Sequence, residues 1–76
     1  MKKVFDYSKL RGRIVEKYGS QRQFADAAGV SEQTITSKMN GRVAISQEDV
    51  VNWSELLDIE ANDIGVYFFA YKLSNN

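Results

Sequence analysis

Glu32, Gln33, Thr34 and Ser37 lie close together in sequence, and each can donate or accept hydrogen bonds at a surface. Ile35 and Met39, an apolar i, i+4 pair, interrupt them and give a helix here one side to bury. The polar side then faces outward. A glutamine there can make a bidentate contact with adenine, a carboxylate can accept from the cytosine amino group, and Ser or Thr suits several base edges. Lys38 and Arg42 add positive charge of the kind that binds phosphates. Such a helix fits the major groove of duplex DNA, so these residues predict base-edge recognition.

Residues 20–41, SQRQFADAAGVSEQTITSKMNG, contain what is needed to position that helix. Ser20 and Ser31 are each placed to cap a helix start, where backbone N–H groups lack partners. Gly29 sits where the first of the two helices must stop, in a left-handed conformation that disfavours a Cβ. Phe24, Ala25 and Ala28 give that helix its apolar face; Ala25 is small enough for a helix crossing, and Val30 is expected to plug the wedge beyond the turn. Asn40-Gly41 closes the second helix with a turn-forming pair. The stretch predicts a helix-turn-helix, with residues 31–40 as the recognition helix.

Around it the hydrophobic spacing predicts three more helices. Tyr7, Leu10, Ile14 and Tyr18 form one stripe over residues 7–18, with Asp6 able to cap and Gly19 to terminate. Gly12 costs that helix about 1 kcal/mol relative to alanine and suits its outer face. Ser46 and Asp49 resemble a capping box ahead of Val50, Trp53, Leu56 and Leu57, with Ile59 packing beyond the helix end. A short fifth helix starts around Ala61, with Asp63 in its first turn. Residues 66–73, VYFFAYKL, have strand-like composition but follow a helix start, so both a strand and a helix running into an extended tail stay open. The fold class is all-α: five helices in one domain spanning residues 1–76, with an extended C-terminal tail.

Composition narrows the functions. The chain has 76 residues with no cysteine, histidine or proline, which excludes disulfides and most transition-metal sites. No metal, cofactor or small-molecule ligand is expected. With neither histidine nor cysteine and no clustered carboxylates, an enzyme is not expected. No apolar run is long enough to span a bilayer and the N-terminus lacks a signal-peptide core, so the expected location is the cytoplasm of a bacterial host, near the nucleoid. Net charge is zero, yet residues 1–42 carry nine basic and four acidic side chains and residues 43–76 carry one and six, a polarity of +5 against −5. Such a dipole can orient on a polyanion. Lys2 and Lys3 form either a basic arm or a solvated end, and Arg11 and Arg13 suit phosphate contact as well as solvation.

The spacing Gln21, Ala25, Gly29, Val30, Ile35, Asn40-Gly41 resembles the phage Cro and CI type of repressor, within the repressor-like helix-turn-helix DNA-binding domains. The resemblance covers nearly the whole chain, through the DIEANDI segment after the fourth helix. It implies a Cro-like transcriptional regulator that binds a pseudo-palindromic double-stranded operator as a homodimer. Position by position, it implies base contacts from Glu32, Gln33, Thr34 and Ser37, and phosphate or backbone contacts from Gln21, Lys38, Asn40 and Arg42. Two positions depart from the family: Glu32, which can equally serve the helix dipole, and Lys38, where an apolar residue is usual.

Tyr67, Phe68, Phe69 and Tyr71 are more aromatic surface than a small five-helix core needs. They are expected either to dimerise the chain through a tail at residues 66–76, spacing two recognition helices by ~34 Å, or to complete the monomer core. A rival function uses the same residues differently: the acidic, aromatic C-terminal half binds another regulator, as a phage modulator or antitoxin-like partner does.

Overall fold

The computed structural model describes residues 2–74. In chain order these form strand β1 (Lys2–Phe5), helices α1 (Ser8–Tyr18), α2 (Gln21–Ala28), α3 (Glu32–Met39) and α4 (Gln47–Leu57), a 3-10 turn (Ala61–Asp63), helix α5 (Ile64–Phe68) and strand β2 (Tyr71–Ser74). The five helices agree with the hydrophobic spacing. The all-α expectation needs correction, because β1 and β2 pair antiparallel with Phe5 opposite Tyr71 and Val4 opposite Lys72. Asp6 extends the ladder by donating its N–H to the Ala70 carbonyl at 2.8 Å. The tail beyond α5 is therefore a strand held by the start of the chain. No local signal marks such a pairing, which joins opposite ends of the sequence.

Local signals set the helix ends. Ser20, Ser31 and Ser46 each accept the backbone N–H three residues on, as capping serines do. Asp49 reciprocates by accepting the Ser46 N–H, which completes the capping box. Asp6 does not cap α1 from the usual position; it accepts the Ser8 N–H and hydroxyl from one residue earlier. Gly29 adopts the left-handed conformation with φ of 76° and ends α2.

The core is built from Leu10 and Ile14 of α1, Phe24 and Ala25 of α2, Ile35 and Met39 of α3, Trp53 and Leu57 of α4, then Ile59 and Phe68. An aromatic chain runs through it. Tyr18 meets Phe24 at 5.5 Å between ring centroids, Phe24 meets the Trp53 edge at 5.3 Å, and Trp53 meets Phe68 at 6.3 Å. Four helices are thereby joined by ring contacts, each adding about 0.5–1.5 kcal/mol beyond area burial. Val30 departs from expectation: it does not plug the α2–α3 wedge but stays 40 % exposed.

Helix α4 is held at both ends by cations from the first half of the chain. At its start, Lys38 Nζ lies 2.5 Å from Asp49 Oδ2, and both side chains are largely shielded. At its end, Arg13 donates from Nε to the Leu57 carbonyl at 2.8 Å and from Nη2 to the Asp58 carbonyl at 3.2 Å. The Tyr18 hydroxyl donates to the Leu56 carbonyl, and Lys17 pairs with the Asp58 carboxylate. These groups satisfy carbonyls that the last helical turn leaves without partners, and the cations match its dipole.

Two predictions follow from this construction. A Cβ on Gly12 would meet nothing within 4 Å, so Gly12→Ala should raise stability by about 0.5–1 kcal/mol in denaturant unfolding; a loss would mean α1 is constrained there. Burial of Asp49 opposes its charge, but the Lys38 ammonium and the Ser46 amide outweigh it and hold the carboxyl below its ordinary range. A depressed folded-state pKa stabilises the protein above the unfolded value of about 3.9, and this is lost as pH falls through the folded value. Asp49→Asn, which can still accept the Ser46 N–H, should lower stability at neutral pH and flatten its decline below about pH 4. An unchanged acid profile would show that the Lys38 pair contributes nothing.

Candidate functional site

The structure distributes the expected DNA-contacting residues unevenly. Glu32 and Gln33 are exposed on α3 as the sequence predicts, and Asn40 and Arg42 are exposed just beyond it. Thr34 is half-buried, its hydroxyl 2.9 Å from the Ser31 hydroxyl, so it is engaged in the helix cap. Ser37 is half-buried too, and its carbonyl receives the Arg42 and Val43 amides. Gln21 donates from Nε2 to the Thr36 hydroxyl, bracing α2 against α3. Lys38, expected at the surface facing phosphate, is instead paired with Asp49 and 17 % exposed.

The charge polarity read from sequence is likewise folded back on itself. Of the basic side chains in residues 1–42, Arg13, Lys17 and Lys38 are in ion pairs, with Glu16, Asp58 and Asp49. Two of those three carboxylates come from the acidic half. Arg13, which by sequence suits phosphate contact as well as solvation, has its fork committed to the end of α4. The side chains of Lys2 and Lys3 lie outside the described residues.

The aromatic residues assigned to dimerisation divide as well. Phe68 is 2 % exposed and belongs to the core, the second of the two places the sequence left open for these aromatics. Tyr67 packs half-buried against the core. Phe69 and Tyr71 remain more than half exposed. Asn75 and Asn76 of the expected tail lie outside the described residues.

What the structure assembles is an apolar groove of about 450 Å³ that no single stretch of sequence announces. Phe5 and Tyr7 enter it from the start of the chain, residues 41–45 from the α3–α4 loop, Val50 from α4, and Phe68 and Phe69 from the end of α5. Phe5 and Tyr7 stack with ring centroids 6.0 Å apart. Phe5, Phe69 and Val43 are each at least half exposed, so large apolar groups stand open to solvent around the opening. The groove therefore combines a concave centre with exposed aromatic and aliphatic side chains at its edge. Arg42 lines the groove and has no ion pair among the described residues. Val43 also lines a separate shallow hollow with Ser31, Gln33, Thr34 and Ser37, so it borders both. The signals available in sequence were Phe68, Phe69 and Arg42; Phe5, Tyr7 and Val43 were missed as site residues because only the fold brings them there.

No curated protein matches the chain. Among solved structures, it is similar to the solution structure of the modulator of repression (MOR) of the temperate bacteriophage TP901-1 from Lactococcus lactis, with 40 % sequence identity and a TM-score of 0.78. That match covers 86 % of this chain and 88 % of the other. It corrects the resemblance to Cro and CI repressors: the neighbour is a modulator of repression, not a Cro-like DNA-binding repressor, although its phage origin agrees with the phage connection. A family profile described as a protein of unknown function (DUF739) matches residues 3–71. The chain belongs to the DUF739 family.

Proposed function

We propose that this chain is a protein-interaction module that modulates a phage repressor by binding it, with the groove between the chain start, residues 41–45 and Phe69 as its contact surface. The similarity to a phage modulator of repression at 40 % identity over most of both chains carries this reading. The groove supports it, since exposed aromatic and aliphatic side chains around a concave centre suit a protein contact. The pairing of Lys38 with Asp49 supports it as well, because it removes the cation nearest the expected base-reading residues. In this reading the α2–α3 unit is a helix-turn-helix in form that serves as scaffold and extends the contact surface at Gln33 and Ser37. Residues 1–76 act as one binding unit without enzymatic activity in the cytoplasm of a bacterial host. A repressor takes the place of the operator as partner, and a homodimer is not required.

The test is a mobility-shift titration with the repressor encoded in the same genome and its operator. Added chain should alter the repressor–operator complex, while the chain alone should leave the duplex unshifted at 150 mM salt, on the order of physiological ionic strength. Phe69→Asp should abolish the effect while leaving the helical circular dichroism intact, because Phe69 is exposed. A salt-sensitive shift of the duplex by the chain alone, with no effect on the repressor complex, would reverse the assignment.

A further inference from the structure

The groove has one charged side chain in its lining, and its sign restricts what can fill it. Arg42 stands beside Val43, Ala44 and Ile45 in the loop that forms one wall. Lys38, four residues earlier, is paired with Asp49, whereas Arg42 is exposed and has no carboxylate partner among the described residues. An apolar partner that covered the groove would strip water from the guanidinium without replacing it. Leaving a desolvated charge unpaired costs far more than an exposed one, so a purely apolar or basic occupant is disfavoured. A carboxylate beside the apolar contact removes that cost. The planar guanidinium can grip it with two parallel hydrogen bonds, which also fixes direction.

We infer that the groove receives an apolar segment of the partner protein that also carries an aspartate or glutamate, with Phe5, Val43 and Phe69 closing on the apolar side chains and Arg42 pairing with the carboxylate. The inference rests on the proposed modulation of a repressor and adds the chemistry of the segment that is recognised. A volume of about 450 Å³ falls in the range of sites that enclose a few side chains rather than a whole domain face. The apolar contacts supply affinity, and the ion pair supplies register and selectivity against basic segments. A partner surface built to meet phosphates is rich in Lys and Arg, so the contacted segment lies outside its most basic part.

Calorimetric titration of the intact chain against the purified repressor from the same genome tests this, using the wild type, Arg42→Glu and Phe69→Asp. Both altered residues are exposed, and circular dichroism checks that the variants fold. Arg42→Glu should weaken binding by about 30-fold or more, as expected for reversing one member of a desolvated pair. Within a set of single Asp→Arg and Glu→Arg variants of the repressor, one should restore binding to Arg42→Glu while weakening binding to the wild type. If Phe69→Asp abolishes binding but Arg42→Glu stays within about twofold, or no repressor variant restores it, the acidic segment is wrong and the groove stands. If both variants bind as the wild type does, the groove is wrong. An absence of binding by the wild type overturns the proposed function and this inference together.

Discussion

Helix α4 depends on side chains from the first half of the chain at both of its ends. Lys38 closes on the capping-box carboxylate at its start, and Arg13, Lys17 and Tyr18 take its last carbonyls and the Asp58 carboxylate at its end. Those contacts hold Trp53 at the centre of the core, between Phe24 and Phe68. They also consume cations. A distribution that looks in sequence like a basic half prepared for a polyanion is, in the folded chain, partly an internal pairing of the two halves. One arrangement therefore explains the stability of α4 and weakens the case for phosphate binding.

The aromatic C-terminal segment is divided by the same geometry. Trp53 needs a partner on its far side, and α5 delivers Phe68 to it, fully buried. The next residue cannot share that fate, because adjacent helical positions point about 100° apart. Phe69 is left facing solvent, where Phe5 and Val43 join it. The antiparallel pairing of β1 with β2 puts Phe5 there, since a two-stranded ribbon has little stability of its own and must rest against the helices. Core and groove wall are thus built from consecutive residues at the end of α5, Phe68 its last and Phe69 its cap.

Much of the helical frame was legible from local chemistry. The capping serines, the left-handed Gly29 and the stripe of Leu10 and Ile14 each act within a few residues, so sequence alone shows them. Gln33 and Glu32 were placed outside for the same reason. What the sequence left open or set elsewhere depended on distant partners: Lys38 on Asp49, Arg13 on Leu57 and Asp58, Phe68 on Trp53, and the terminal strands on each other. The repressor-like spacing of residues 20–41 describes how two helices pack, and packing is shared by proteins that bind different things. The similarity to a modulator of repression separates the fold from the function that the spacing suggested.

The central claim is that the groove, and not the outer side of α3 acting on DNA, is where this chain meets its partner. Amide chemical-shift mapping of the isotopically labelled chain tests it residue by residue, by titrating first the repressor and then an operator duplex. Perturbations should concentrate at Phe5, Tyr7, residues 41–45 and Phe69 with the repressor, with none of comparable size with the duplex. Perturbations confined to Glu32, Gln33 and Ser37 that appear with the duplex and not with the repressor would contradict it.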